Sequence, residues 1–304
     1  MGLVAFFLGL VLAPLLLGVI NRTKAAFAGR NGPPLLQLYF DLWKLLHKGA
    51  VYSRATTWIF RAAPATSVAA VVTACALVPG GSAEAPLAFG GDLLMVAALL
   101  GLMRFFLVLA ALDTGSAFEG MGASREVQFS ALAEPALLLS LTSVSRITGS
   151  LSLSGMFAGL TPTIWVAAAP SMFLVGAAMF VVFLAENARI PVDDPNTHLE
   201  LTMIHEVMIL DNSGFDLGLI LYATNLKFAM YGALIANFFI SNLSIAFALP
   251  LFVAVQFLFA VVAGLLESFR ARFRMAHNAE FIYTLTSFSL LIFFAVLLLM
   301  GKFI

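Results

Sequence analysis

Long apolar stretches alternate with short polar ones along the whole chain. Eight stretches are apolar enough to be spans, at roughly 3–20, 58–78, 91–112, 129–147, 163–184, 217–240, 245–266 and 281–300. A helix needs about 20 consecutive, mostly apolar residues to cross a bilayer. The pattern therefore predicts an all-α integral membrane protein, with residues 1–304 as a single polytopic domain. The first stretch is interpreted as a retained span, because no basic residue precedes it and no small-residue cleavage site follows.

The longer connections predict the orientation. The segments 21–57, 113–128, 185–216 and 267–280 all follow odd-numbered spans, so they lie on one side of the membrane. Basic residues concentrate there, and only Arg146 and Lys302 fall on the opposite side. Under the positive-inside rule the four connections are cytoplasmic and both termini lie on the outer side. The basic residues of the four connections are Arg22, Lys24, Arg30, Lys44, Lys48, Arg54, Arg125, Arg189, Arg270, Arg272 and Arg274.

Residues 33–49, PPLLQLYFDLWKLLHKG, have a different pattern. Their polar residues recur at helical spacing, and most of the others are large and apolar. Proline is favoured in the first turn of a helix and glycine just after its end. The segment is therefore predicted to be an amphipathic helix on the cytoplasmic side, lying in the membrane interface.

Composition excludes several functions. The chain is 62 % hydrophobic and 11 % charged, with a net charge of zero. Nucleic-acid binding therefore has no electrostatic support. The single Cys75 cannot form a disulfide framework or hold an iron–sulfur cluster within the chain. His205-Glu206 does not continue as H-E-x-x-H, because residue 209 is Ile. We expect no metal, haem or other redox centre bound by this chain.

Three ionisable residues fall inside predicted spans: Arg104, Glu134 and Lys227. A charged side chain at the centre of a membrane helix costs about 2.5–3.5 kcal/mol on insertion scales. Such residues pair with one another or line water. Pro135 follows Glu134 directly, and a proline inside a span is typical of a bend beside a cavity. The residues favour a hydrated polar track, with isolated structural ion pairs as the alternative.

The stretch AENARIPVDDPNTHLELTMIHE, at 185–206, begins a predicted cytoplasmic-side coupling loop at 185–216. It holds eight ionisable residues: Glu186, Arg189, Asp193, Asp194, His198, Glu200, His205 and Glu206. Thr197 and Glu200 have the spacing of a capping box, so Glu200 has a purely structural interpretation as well.

The segment Ala185-Glu186-Asn187-Ala188-Arg189-Ile190-Pro191-Val192-Asp193 resembles a known signature, Ala-Glu-x-x-Arg-x-Pro-x-Asp. That signature belongs to the membrane-anchor subunit family shared by respiratory complex I, as its subunit 1 or H, and by energy-converting [NiFe] hydrogenases. Stretches at 30–45, 104–126 and 272–274 also resemble the family, the second of them its formate hydrogenlyase and hydrogenase-4 branch. Residues 195–198 are Pro-Asn-Thr-His where complex I members have Thr-Glu-Gly-Glu, which favours the hydrogenase type.

The resemblance implies a non-redox membrane-anchor and proton-coupling subunit of a membrane-bound [NiFe] hydrogenase or formate hydrogenlyase-type complex. Its implied partners are peripheral large and small iron–sulfur subunits, which hold the [NiFe] centre and clusters, and antiporter-like membrane subunits in a bacterial or archaeal cytoplasmic membrane. Lipid or quinone is the implied small-molecule class. Two alternatives stay open: the quinone-cavity subunit of a complex I-like enzyme, and an ion-translocating transporter-type subunit without hydrogen chemistry.

The resemblance also implies roles for individual residues, none of them catalytic. The proton and coupling path would comprise Asp41, Glu134, Glu186, Asp193 and Glu200, with Arg104 and Lys227 pairing along it. Loop and partner contacts would be made by Arg30, Arg125, Arg189, Arg272 and Arg274.

Overall fold

The computed structural model describes residues 2–81, 83–190, 192–193, 203–240, 243, 245–270, 273 and 275–300. These residues form ten α-helices and a short 3₁₀ helix at Glu206–Ile209. The α-helices are α1 (Gly2–Phe27), α2 (Gln37–Leu46), α3 (Trp58–Leu77), α4 (Asp92–Asp113), α5 (Ala117–Thr148), α6 (Leu153–Ala158), α7 (Pro162–Glu186), α8 (Gly214–Ile240), α9 (Ile245–Phe269) and α10 (Met275–Met300).

Eight helices in the described part of the chain are long and apolar enough to cross a membrane. They are α1, α3, α4, α5, α7, α8, α9 and α10, which confirms the predicted all-α fold with eight spans. Helices α2 and α6 are too short to span. That both termini lie on the outer side stays a prediction.

Helix α5 corrects one predicted boundary. The sequence pattern placed a loop at 113–128 and a span at 129–147, whereas the structure has one helix over Ala117–Thr148. Gly115 makes the preceding turn with a left-handed φ of 69°. The first turns of α5 are polar, yet Glu, Arg and Gln are good helix formers. Hydropathy therefore located the membrane-crossing part of the helix and missed its polar extension.

Helix α2 lies inside the predicted interfacial segment 33–49. It buries Leu42 and leaves Phe40 and Trp43 exposed. The helix packs against α8 and α1. The chain just before α2 comes close to α1, because a Cβ added at Gly18 of α1 would collide with the Leu35 carbonyl oxygen. That α2 lies in the membrane interface stays a prediction.

Helix α8 occupies the centre of the bundle. In its most apolar window 72 % of residues are buried, against 28–50 % in the other spanning helices. It contacts α1, α2, α3, α7 and α9. Phe183 of α7, Phe228 of α8 and Phe259 of α9 pack together there, with ring centroids 4.2–5.7 Å apart. A charged residue on α8 therefore faces other helices and not lipid.

Pro135 interrupts the hydrogen-bond ladder of α5 immediately after Glu134. Thr286 of α10 donates its hydroxyl to the nearby Leu132 carbonyl at 2.5 Å, which supplies a donor to this part of α5. The two helices pack extensively. Helix α10 thus supports α5 beside Pro135.

The segment that contains the 3₁₀ helix lies against the polar part of α5. A Cβ on Gly122 would collide with a Val207 methyl and lie 2.9 Å from the Ile204 carbonyl oxygen. Glu119, also buried, accepts a hydrogen bond from the Asp211 amide at 2.9 Å. Only glycine at position 122 permits this approach.

Candidate functional site

Arg104 of α4 lies at the centre of a group of buried charges. Its Nε lies 3.2 Å from Oε1 of Glu126 on α5. Its two Nη atoms donate to Glu134, also on α5, and to Glu186 at the end of α7. One guanidinium therefore joins three carboxylates from two other helices, using the fixed donor geometry that suits arginine to this task.

Lys227 of the central helix α8 supplies a second cation. Its Nζ lies 3.0 Å from Oε2 of Glu186 and also donates to the Glu186 backbone carbonyl. Glu186 therefore lies between two cations. We call Arg104, Glu126, Glu134, Glu186 and Lys227 the buried charge cluster. With all five ionised, three carboxylates against two cations give a net charge of −1.

Exposure differs sharply within the buried charge cluster. The side chain of Glu186 is 2 % exposed, whereas that of Glu134 is 41 % exposed. Burying charge is costly unless it is paired and hydrogen-bonded. Glu186 meets that condition, while Glu134 extends to the outer surface of this chain within a membrane-spanning helix.

A second ion network lies nearby, centred on Glu267 of α9. Its carboxylate oxygens lie 2.8 Å from Lys24 Nζ and 3.2 Å from Arg189 Nη1. The network joins α1, α9 and the turn that follows α7. Arg189 was expected from the sequence, whereas Glu267 was missed, because it falls one residue beyond the predicted span and so carried no burial signal.

The turn after α7 connects the two networks. Ala188 has a left-handed φ of 48°, an uncommon conformation for a residue with a side chain. Asp193, almost fully buried, accepts hydrogen bonds from the amides of Ile204 and His205 at 3.1 and 3.3 Å. Asn278 of α10 donates to the Val192 carbonyl at 2.7 Å. Asp193 thus fixes the backbone of the segment that carries His205.

Two cavities adjoin this turn. The inner cavity is lined by four members of the buried charge cluster: Arg104, Glu126, Glu186 and Lys227. The outer cavity is lined by polar residues that include Asn21, Arg189, Asp193, Glu206 and Asn225. The residues that line both cavities are Asn187, Ala188, His205 and Thr224. These four residues therefore form a wall between the buried charge cluster and the outer cavity.

The structure brings only part of the predicted path together. Arg104, Glu134, Glu186 and Lys227 meet in the buried charge cluster. Asp41 lies on α2, where it accepts a hydrogen bond from Gln37 at 2.9 Å. Asp193 lines the outer cavity, and Glu200 lies outside the described residues.

The predicted loop arginines also separate. Arg189 pairs with Glu267, and Arg125 donates to the Met203 carbonyl at 2.9 Å, which secures the same segment as Asp193. Arg30 is exposed. Arg272 and Arg274 lie outside the described residues. Roles for these arginines in partner contacts stay predictions.

The comparison with protein families decides the classification. The family described as NADH dehydrogenase matches residues 1–299. The chain belongs to this family. Its relatives include the H-type membrane subunits of NADH-quinone oxidoreductases, so the resemblance carried by the sequence motifs is confirmed.

Two relatives from Escherichia coli K12 share the branch predicted from the motifs. Formate hydrogenlyase subunit 4 is 33 % identical over 219 residues, covering 71 % of this chain and 69 % of the relative. Hydrogenase-4 component C is 31 % identical over 283 residues, covering 90 % and 88 %. An H-type subunit of the NADH-quinone oxidoreductase of Geobacter sulfurreducens is 28 % identical over 253 residues, covering 78 % and 75 %.

A solved structure has the same fold. A chain of the membrane-bound sulfane sulfur reductase, an archaeal respiratory membrane complex, superposes with a TM-score of 0.84 at 19 % identity, covering 97 % of this chain and 98 % of that one. The structure agrees with the family match and the three relatives, which identify this multi-pass chain as a membrane subunit of a complex I-like or hydrogenase-type respiratory complex.

The described residues provide no cluster of metal ligands. Across the described ranges no group of three or more His, Cys, Asp or Glu is placed to hold one. Three carboxylates share two fixed cations beside a cavity, so the buried charge cluster carries an unbalanced negative charge.

A separate apolar cavity lies among α1, α2, α3 and α8. Tyr39 and Tyr222 line it, and their hydroxyls donate to the Val11 and Leu10 carbonyls of α1. Burial raises the pKa of the Tyr39 phenol above its usual value. Both hydroxyls are already engaged, which leaves the cavity surface suited to a lipid-like molecule.

Proposed function

We propose that this chain is the membrane-anchor and proton-coupling subunit of a membrane-bound [NiFe] hydrogenase or formate hydrogenlyase-type complex in a bacterial or archaeal cytoplasmic membrane. The two relatives above 30 % identity support the hydrogenase branch. The observation that carries the coupling role is the buried charge cluster, in which Glu186 lies between Arg104 and Lys227.

The cluster responds to charge by an electrostatic route. A change in the nearby charge alters how strongly a carboxylate holds a proton, and the two cations beside Glu186 favour its ionised form. Electron transfer in a peripheral subunit is such a change, and low-dielectric surroundings transmit it further than water does. The net charge of −1 favours uptake of a proton when the neighbouring charge becomes more negative, and its release afterwards. Coupling by this route requires no redox centre in this chain.

The two ends of the cluster fit two kinds of partner. The polar segment around 185–213 would dock the peripheral large and small subunits, which hold the [NiFe] centre and iron–sulfur clusters. Glu134 is 41 % exposed in a membrane-spanning helix, where contact with lipid is unfavourable. An antiporter-like membrane subunit would cover it and receive the proton. Asp41, Asp193 and the loop arginines would support the same docking surface.

Purification of the intact assembly tests this proposal. An affinity tag on the chain should isolate a complex with a [NiFe]-type large subunit, a small iron–sulfur subunit and at least one antiporter-like subunit, identified by mass spectrometry. A functional chain isolated alone, or a complex whose large subunit lacks the cysteines for nickel and iron, would contradict it.

The apolar cavity favours a second candidate, the quinone-cavity subunit of a complex I-like enzyme. Its lining is mostly aliphatic and lies between α2 and the bundle, where an isoprenoid tail would fit. Quinone extracted in stoichiometric amount with the complex, together with quinone-dependent turnover, would favour this candidate. A tail-shaped lipid without quinone would favour the hydrogenase-type subunit.

A further inference from the structure

One histidine lies in the wall between the inner and outer cavities. The wall consists of Asn187, Ala188, His205 and Thr224, which line both spaces. The Asn187 amide nitrogen is engaged with the Phe183 carbonyl at 3.0 Å. The alanine, the amide and the threonine hydroxyl have no basic nitrogen, whereas an imidazole has one that can bind a proton. His205 is therefore the wall residue that can carry a proton.

The hydrogen bonds of Thr224 favour one histidine tautomer. The Thr224 hydroxyl lies 3.0 Å from the Ile220 carbonyl oxygen, to which it can only donate. His205 Nε2 lies 3.4 Å from the same hydroxyl oxygen. A hydroxyl has one proton, so donation to the nearer carbonyl leaves it to accept from His205. This arrangement favours the tautomer with the ring proton on Nε2, in which the lone pair of Nδ1 can take another proton.

Charged groups face His205 from both sides of the wall. The groups lining the inner cavity are Arg104, Glu126, Glu186 and Lys227, and those lining the outer cavity are Arg189, Asp193 and Glu206. The His205 amide donates to Asp193, which holds the backbone of the wall in place.

We propose that His205 is the proton relay between the outer cavity and the buried charge cluster. In an inward transfer a proton from water in one cavity adds to Nδ1, and the proton on Nε2 then leaves to water or carboxylate in the other. One proton enters and one leaves, so the ring is charged only between the two events. The ring then rotates about the Cβ–Cγ bond, Nε2 takes up a second proton from the first cavity and Nδ1 releases its proton to the other. This second transfer restores the starting tautomer, and the reverse rotation restores the orientation of the ring. This inference rests on the proposed coupling function and names one residue for it.

Proton translocation by the intact complex provides the first test. The complex carrying His205→Gln is reconstituted in vesicles, and protons moved per electron are compared with wild type. Glutamine keeps an amide donor for Thr224 but has no basic nitrogen. Acid–base groups contribute roughly 10²–10⁴-fold, so we expect a loss of at least about tenfold. His277→Gln is the matched control, because His277 is 61 % exposed and pairs locally with Glu280. It should match wild type.

The Glu186→Gln complex, measured beside it, separates the relay from the coupling function. Loss of proton translocation in both Glu186→Gln and His205→Gln supports the relay. Loss in Glu186→Gln with normal translocation in His205→Gln overturns the relay and leaves the coupling function intact. Normal translocation in both overturns both. A His205→Ala complex that regains translocation when imidazole is added supports a proton-carrying role, and failure to regain it in an assembled complex assigns a structural role and overturns the relay.

Nitrogen NMR of the full chain in nanodiscs tests the geometry without any turnover. In protein labelled with ¹⁵N at histidine, the resonance missing from His205→Gln identifies residue 205. We expect neutral His205 to carry its proton on Nε2, and Thr224→Val to shift that resonance while leaving His277 unchanged. A neutral ring protonated on Nδ1 would overturn the relay.

Discussion

Replacing Arg104 by methionine removes the residue that joins three carboxylates. Glu126, Glu134 and Glu186 then face one cation, Lys227, and the nominal charge of the group changes from −1 to −2. Removing one partner of a buried ion pair costs about 3–5 kcal/mol, because the other partner stays buried and unpaired. The three contacts are one network, so the cost is that of one network and not three independent pairs.

A thiol-labelling melt measures this cost. Cys75 is the single cysteine of the chain and lies within α3, so a fluorogenic thiol reagent reports unfolding. At a fixed scan rate we expect the Tm of Arg104→Met to fall on the order of 10 °C. Adding Glu186→Gln should recover part of the loss, since it removes one of the excess negative charges.

Arg61→Met is the matched control. Arg61 is exposed on α3, and its guanidinium lies 4.5 Å from the Tyr52 ring centroid. An exposed cation–π contact contributes about 0.5–1 kcal/mol, so a Tm change of a few degrees is expected. The charge cluster is not an interdependent network if Arg104→Met melts no lower than Arg61→Met. The same conclusion follows if the Tm loss of the Arg104→Met, Glu186→Gln double variant equals the sum of the losses of the two single variants.

Two further changes test neighbouring features. Glu267→Gln leaves Lys24 and Arg189 without their shared carboxylate, so we expect the free energy of unfolding to fall by about 3 kcal/mol. Adding Arg189→Met in the same chain should reduce this loss. An unchanged melt would contradict the pairing. Gly122→Val should push the 3₁₀ segment away from α5 and speed its amide hydrogen exchange, whereas Gly120→Val, where an added Cβ meets nothing within 4 Å, should not. Equal exchange in the two valine variants would contradict the close packing.

The spans were predictable because lipid imposes one strong rule, that about 20 residues in a row must be apolar. The same rule gives no information about where a helix continues into water. Helix α5 illustrates this, since its first turns are polar and were assigned to a loop. Helix α2 was located because its amphipathic spacing is periodic, whereas its contacts with α1 and α8 depend on tertiary packing.

The charged site was predictable only in part. Arg104, Glu134 and Lys227 were found because a charge inside an apolar span is expensive and needs an explanation. Their meeting with Glu186 could not be predicted from spacing, since the residues come from four helices distant in sequence. Residues in polar segments carry no such signal, so Glu126 and Glu267 were missed as members of ion networks. His205 was considered only as a metal ligand.

The most direct test of the account is the number of protons translocated per electron by the assembled complex carrying Glu186→Gln. Native electrophoresis first establishes that all subunits are present, and Glu134→Gln, altered at the exposed end of the cluster, is measured beside it. The account predicts that electron transfer continues in both complexes while proton translocation falls to near zero. Wild-type translocation in both assembled variants would contradict the claim that the buried charge cluster couples electron transfer to proton movement.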